Sequence, residues 1–502
     1  MASEKKLPNK PDQLKIVLFN FKGDDKEITP IVSQLSIHED LFTPFSSCSF
    51  IITDALGLTE RFPIIGDERI RIEYKTFGEK FKLRTRTYKL YKTGKRVESS
   101  QRQYNYIVHG IEEFAIRQEM LSVNKSFVGQ KVTKAIQSIY DNASLGNQNT
   151  RPAVIPKLYG KGTDNIKDSK NETTYVGTGN TPMEAIQHLK QEAIHIESPS
   201  NNSDYVFFQN VDGFHFTTIG ELKKYDEEYQ DGEENKNEFL LGDQAFALDT
   251  PDTRFTPQNI ILNAVVKKTV DTIQNLGTGL YHNRVAVVDP LTKRYDYRNF
   301  TYFAEFKTLE LLGGVKGGRG QKDGGKRIIS KESPFRYAES STHTRYMVGE
   351  LTTNRLNPSS PTKQFTGGIN YKDSPYIKEA VDIDRDPKIK FPNERHKVLN
   401  KKIAERAALD TMILDLLLPA NSDLKVGDII YVFAPQATGS TTSQSSFNIF
   451  YGNESSRFLI TNLEHKYVAG TANFTTRVEV MKDSFEFSPE TIREKVESEF
   501  TE

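Results

Sequence analysis

Arg69-Ile-Arg-Ile-Glu-Tyr-Lys75 alternates charged and apolar residues without a break. A period of two puts Ile70, Ile72 and Tyr74 on one face of a strand and the charges on the other. A helix would scatter those residues around its axis, so the segment is a half-buried strand. Upstream, Ser49 to Thr53 is a β-branched and aromatic run closed by Asp54-Ala-Leu-Gly57, a second strand and its turn. Pro63 and Gly66 bracket two isoleucines in the connection between them. Leu14-Lys-Ile16-Val-Leu18 precedes this pair, and Phe81-Lys-Leu83-Arg-Thr85-Arg-Thr87 and Tyr104-Asn-Tyr106-Ile-Val108 follow it. Five or more strands joined by short turns predict an antiparallel barrel or sandwich, closed or nearly so. In the Phe81 run the alternation predicts Lys82, Arg84 and Arg86 on the outward face, a basic stripe that is solvated or meets an acidic neighbour.

That unit takes up only the first part of 502 residues. At roughly 150 residues per domain the chain has room for about three. Thirty-one Phe and 22 Tyr supply apolar area for several cores, although Trp is absent. Lys plus Arg equals Asp plus Glu at 67 each, so no overall field selects nucleic acid or an anionic membrane. The lone Cys48 excludes an intrachain disulfide framework and a cysteine-based zinc site, and reads as a small buried residue. No apolar run approaches the roughly 18 to 20 residues of a membrane span, and MASEKKLPNKPDQ carries no hydrophobic signal region. The expectation is a soluble chain made in a cytoplasm, without a membrane anchor.

From Phe114 the period changes. Phe127, Val128, Val132, Ile136, Ile139 and Tyr140 fall at helical spacing, and residues 141–172 read as a mobile excursion rich in Asn, Gly, Pro and Lys. Thr181-Pro-Met-Glu184 is a helix start, with a capping hydroxyl, proline in the first turn and glutamate three residues on. That helix carries Met183, Ile186, Leu189, Ala193 and Ile196 on one side. Asp204 to Phe208 and Phe214 to Ile219 then form a hairpin with four phenylalanines, followed by an acidic solvated loop over 221–238. A helix or strand is expected around Ile260 to Val266, and a strand, turn and strand over Leu280 to Tyr302. Residues 313–394 lose all periodicity and read as a glycine-rich, polar insert. From His396 a helix with Val398, Leu399, Ile403 and Ala407 leads into strands at Met412–Leu418, Leu424–Phe433, Arg457–His465 and Phe474–Val480. Ser488-Pro-Glu490 is placed to start a short terminal helix.

No segment is arranged for turnover. Gly320-Gln-Lys-Asp-Gly-Gly-Lys326-Arg327 approaches a P-loop, but Arg327 stands where magnesium needs a hydroxyl, and no helix pattern follows. His188 and His195 lie seven apart on the predicted helix and lack zinc-protease spacing. The pairs Asp24-Asp25, Glu112-Glu113 and Glu227-Glu228 are weak signs of a glycosidase without a cleft to hold them. The reading is therefore no enzyme, with no catalytic, cofactor-binding or metal-binding residue assigned and no cofactor.

Four blocks, in order, resemble the central hub protein of contractile phage tail baseplates. The first runs from Ile37-His-Glu-Asp-Leu-Phe42 through SFIITDALGLTE to PIIGDERIRIEY; the second is the Thr181 helix followed by YVFFQNVDGFHFTTI. The third is the Asp289-Pro290 turn into Tyr295–Tyr302, and the fourth is PANSDLKVGDIIYVFAP with the two closing strands and MKDSF. Together they cover roughly residues 12–130, 180–310 and 396–487, and the likeness lapses in the insert. The resemblance implies a mainly β chain with α+β parts: two tail-tube-like antiparallel β-barrels plus an α/β domain, assembling as a C3 trimer with pseudo-sixfold symmetry. In that scheme the first barrel is 12–115, and the α/β domain is 116–203 with 250–312. The second barrel is 204–222 with 396–487, the insert is 313–395, and the tail or short helix is 488–502. The implied role is a structural virion protein that adapts the hexameric tail tube to the trimeric spike and leaves a channel for DNA. The implied partners are two further copies, the tube ring, the spike, other hub or wedge components, the tape measure protein, and genomic DNA passing without specific binding. The hub part of a bacterial contractile secretion spike is the alternative reading. A tail-associated cell-wall hydrolase stands behind both.

Overall fold

The computed structural model describes residues 11–20, 22–55, 57–78, 81–94, 96–100, 103–145, 169–195, 203–223, 237–241, 257–269, 271–289, 294–305, 309, 311–312, 344–348, 395–433 and 456–484. The near P-loop, the terminal helix start, Glu227-Glu228 and nearly all of the insert lie outside these residues. So do most of the 141–172 excursion and of the acidic loop.

The described residues are mostly β, in several sheets, none of which closes among those residues. The first half supplies β1 (Pro11–Phe19), β2 (Asp25–Glu27), β3 (Val32–Asp40), β4 (Ser47–Asp54), β5 (Arg69–Thr76), β6 (Arg84–Thr93), β7 (Val97–Ser100) and β8 (Gln103–Ile111), with the short helix α1 (Leu58–Arg61) before β5. They pair in the order β3-β4-β8-β6-β5-β1-β2. The alternation sets the inner face: Ile70, Ile72 and Tyr74 are buried together with Ile16, Leu18, Phe50, Ile52 and Val108 in one core. β1 and β3 do not pair. The gap is bridged by Ile28 N donating to Ile16 O (2.9 Å) and Ile16 N donating to Thr29 Oγ1 (2.8 Å).

Next come α2 (Glu113–Glu119), β9 (Ser126–Lys131), α3 (Val132–Leu145), β10 (Glu172–Val176), α4 (Pro182–Glu192), β11 (Tyr205–Asn210), β12 (Gly213–Thr218) and α5 (Ile219–Lys223). The Thr181 start is a full capping box: Thr181 Oγ1 accepts from Glu184 N (3.3 Å) and Glu184 Oε2 accepts from Thr181 N (2.9 Å). Helical spacing misleads at Phe127 and Val128. They lie on β9, paired with β10, where Phe127 is buried and Val128 is 65% exposed, and the helix begins only at Val132.

The β11–β12 hairpin forms a two-stranded sheet of its own, and all twelve of its strand residues are buried. It has two apolar faces. Tyr205, Phe207, Phe214 and Phe216 point into the helical cluster of α3 and α4, while Val206 and Phe208 point into the core of the second sheet.

The remaining elements are β13 (Glu238–Leu241), β14 (Ile260–Ile261), β15 (Asn263–Lys268), α6 (Thr272–Thr278), β16 (His282–Asp289), β17 (Arg294–Thr301), α7 (Tyr302–Glu305), β18 (Thr344–Val348), α8 (Arg395–Leu409), β19 (Met412–Pro419), β20 (Ile429–Phe433), β21 (Ser456–Val468) and β22 (Asn473–Lys482). β17, β16 and β18 make a small sheet against α8, where Val285 and Val287 meet Leu399 and Ile403. The second large sheet runs β13-β20-β21-β22-β19-β15 around a core of Leu414, Leu416, Ile430, Phe458, Ile460, Val478 and Val480. β14 pairs back to β13, and Leu262 between β14 and β15 donates to Leu417 O (2.8 Å). The strands that complete this sheet thus come from 238–268. The hairpin packs against it without joining its ladder.

Candidate functional site: the charged joint between the two sheets

β21 holds the two sheets together. Its first half pairs with β20, its second half pairs with β3 from Asn462↔Asp40 to Val468↔Gln34, and β22 follows it along the other edge. Leu41 N donating to Thr461 O (2.8 Å) extends the seam. The result is one antiparallel run, β15-β19-β22-β21-β3-β4-β8-β6-β5-β1-β2, in which the two halves of the chain meet at β21–β3.

The inner side of the seam is ionic. Arg84 and Arg86 share the inward face of β6 with Tyr88 and Leu90, which corrects the expectation that these two lie outward, while Lys82, ahead of the strand, is exposed. Arg86 is buried and forms an ion pair with Glu39 on β3, and its Nη1 donates to Asn210 O in the hairpin turn (2.6 Å). Glu39 Oε2 also accepts from Val426 N (3.2 Å), and Asn210 Nδ2 donates to Val426 O (3.2 Å). Arg84 pairs with Asp423 (2.9 Å), and Lys425 pairs with Asp212 of the hairpin turn. Burial opposes ionisation of Asp212, but Lys425 and Arg84 outweigh it and hold the carboxyl below its ordinary range. β3, β6, the hairpin turn and the segment before β20 are thereby tied by charge.

Two titratable groups lie close by. Glu112, the N-cap of α2, accepts from Gln209 Nε2 (2.5 Å), and Gln209 Oε1 in turn accepts from Ser46 N and Oγ. Burial pushes the Glu112 carboxyl up to about 7 against the pull of Gln209 and Arg86. His465 on β21 packs between Tyr74 and Phe474, with Nδ1 3.1 Å from Thr476 Oγ1. Burial first, then Arg86 and Arg84, drives its imidazole down to about 3.

On the outer side, Asp415 accepts from Arg477 and pairs with Lys267 (3.2 Å), which also reaches Glu479 (2.6 Å). The Arg477 hydrogen bond holds the Asp415 carboxyl low. Cations on the outer face of the first sheet are matched in the same way: Arg69 to Glu113, Arg71 to Glu73, Lys75 to Asp12 and Lys89 to Asp67.

Among the described residues, the side chains that could carry chemistry are not brought together. His188 is half exposed against Glu192 (3.4 Å), whereas His195 is buried 3.5 Å from Glu221. Glu112 caps a helix and Glu113 pairs with Arg69, while Asp24 closes a turn by accepting from Asn20 Nδ2 (2.8 Å). Cys48 is buried, its thiol pushed far up by burial. Among the described residues no group of three or more His, Cys, Asp or Glu is placed to hold a metal. The charged contacts tie β3 and β6 of the first sheet to the hairpin turn and to the segment before β20.

No protein-family model matches the chain, and no curated protein matches it. Solved structures do. A tail protein from Neisseria meningitidis MC58 is 10% identical, with 95% of this chain and 99% of that one covered and a TM-score of 0.47. The 43 kDa tail protein of prophage MuSo2 from Shewanella oneidensis is 9% identical, covering 94% and 100%, at 0.46. A chain of the half-lidded Francisella PdpA-VgrG complex is 7% identical, covering 94% and 59%, at 0.39.

Proposed function

We propose that this chain is a structural component of a contractile tail, the central baseplate hub, which as a trimer adapts a hexameric tube to a trimeric spike and leaves an axial channel for DNA. One observation carries the reading: two sheet units in a single chain are joined edge to edge by β21 and β3. From that seam the antiparallel ladder continues through β22, β19 and β15 on one side and through β4, β8, β6, β5, β1 and β2 on the other. Three copies of a chain with two sheet units present six, which is the match a threefold spike and a sixfold tube require. The buried ionic joint supports a fixed angle between the units, as a ring segment needs. Four sequence blocks resembling the hub family fall on the β3–β5 region, on α4 with the hairpin, on β16–β17, and on β19–β22. The self-paired charges of the outer face suit a wall along which a polyanion passes without being gripped.

The test is the position of the chain in an intact tail. A tagged chain in assembled particles, imaged by cryo-electron microscopy, is expected at the axis between tube and spike. Tag density on the sheath or fibres, or complete infectious tails lacking the chain, would overturn the assignment.

A further inference from the structure

The small sheet of β17, β16 and β18 has one face covered and one open. Val285 and Val287 of β16 point to Leu399 and Ile403 of α8. The alternate residues Arg284, Ala286 and Val288 therefore point away from the helix. Register sets Tyr297 of β17 and Tyr346 of β18 on either side of Ala286, all three on one rung of the sheet. Tyr297 is 51% exposed and Tyr346 77%, whereas Ala286 between them is 7% exposed. Two aromatic walls thus stand over a small floor, which Val288, 37% exposed, continues along the strand. At the other end Arg284 lays its guanidinium over the Tyr297 ring, 5.0 Å from the centroid, and its Nε donates to Asn299 Oδ1 (2.8 Å).

The width of this slot narrows what fits it. The walls rise from strands two spacings of about 4.8 Å apart, roughly 9.6 Å, and strand side chains stand nearly perpendicular to their sheet. A planar ring touching both walls needs them only about 7–8 Å apart, so a nucleobase would sit loosely. A puckered, saturated ring fills the extra space. Because the floor is Ala286 and Val288, a proline ring suits it better than a sugar ring, whose hydroxyls would lose water there.

Charge narrows the choice again. The three strands carry four Arg against Asp289 and Asp296, and α8 carries five Lys or Arg against Glu405 alone. The whole chain is balanced at 67 to 67, so this unit is locally basic and favours an anionic partner. Proline-containing segments are already extended, which lowers the entropy lost when they dock between aromatic rings. We propose that the slot over Ala286 seats a proline ring from an acidic, extended segment of a partner protein, with a carboxylate of that segment on Arg284. The contact goes beyond the hub role and does not depend on trimer formation.

The test follows the fluorescence anisotropy of a labelled synthetic peptide, a Pro-Pro-Ala-Pro core flanked by Asp and Glu, as the full chain is added. Binding is expected to weaken about tenfold when alanine replaces every proline, and by a similar factor in Tyr346→Ala or Arg284→Gln. Ala286→Leu fills the floor while leaving both walls, and is expected to abolish binding with native circular dichroism. Tyr91→Ala, at an exposed tyrosine of the first sheet, is expected to bind as the parent does. Absence of binding by the parent, equal binding of the alanine peptide, or an Ala286→Leu variant that binds normally would each overturn the proposal. Hyaluronate and single-stranded DNA are added as competitors. Either one displacing the labelled peptide better than the unlabelled peptide does would give the slot to that ligand class and overturn it as well.

Discussion

Arg86 and Glu39 form a buried ion pair that joins β6 to β3 behind the seam between the two sheets. Each also bonds outside the pair, Arg86 to Asn210 O and Glu39 to Val426 N, so one contact fastens four segments far apart in sequence. Buried charges are costly to leave unmatched.

Replacing Arg86 by Met leaves Glu39 in the interior without its countercharge. The expected loss is about 3–5 kcal/mol, read from urea unfolding of the variant beside the parent. Adding Glu39→Leu is expected to recover most of it, because the double variant buries no lone charge. A single variant as stable as the parent would mean that the pair holds nothing.

How much of this was legible in the sequence is clearest on β6. The alternation there is visible, but Phe81 to Thr87 alone carries nothing that tells the core side of the strand from the outer one. Two residues further along the same face stand Tyr88 and Leu90, which mark it as the core side and carry Arg84 and Arg86 with them. Ile70, Ile72 and Tyr74, by contrast, face the core as alternation predicts. The Thr181 capping box was legible because all of its parts are local. The pairing of β3 with β21 was not, since Asp40 and Asn462 are brought together only by the fold. The hairpin strands were recognised, while their wedge position was not, because both of their faces are apolar and period alone cannot say which sheet each one meets.

Glu112 sets a pH dependence of one sign. Its folded value, about 7, lies above its ordinary 4.5, so its contribution is fully present below pH 4.5 and is lost as pH rises through 7. Stability is expected to carry a component falling by about 1.4 kcal/mol per pH unit across that window. Glu112→Gln should abolish this component, which denaturation at pH 5, 6, 7 and 8 would reveal. An unchanged profile would place the titration elsewhere.

His465 acts in the opposite direction. Its folded value is about 3 against an ordinary 6.5, so the neutral ring is favoured in the fold and its contribution is lost as pH falls from 6.5 towards 3. His465→Gln is expected to flatten the acid limb of the stability curve. In the parent, the proton resonance of this ring should stay at its neutral position at pH 5, and a shift there would contradict its burial between Tyr74 and Phe474.

Gly110 on β8 faces Cys48 so closely that an added Cβ would stand 2.7 Å from Sγ and 3.1 Å from Tyr88 Cβ. Gly110→Ala is expected to cost about 1–3 kcal/mol by overpacking. Combining it with Cys48→Ala should relieve most of that cost, a coupling that a double-mutant cycle reads directly. Additive costs would show that the two side chains do not compete for the same space.

The central claim is that three copies of this two-sheet chain form a ring. The measurement that tests it most directly is the mass of the purified full-length chain by light scattering, with the same sample averaged in projection by electron microscopy. The account predicts a species of three times 57.1 kDa with a pseudo-sixfold outline and an open centre. A compact particle of 57.1 kDa without a central hole would contradict it.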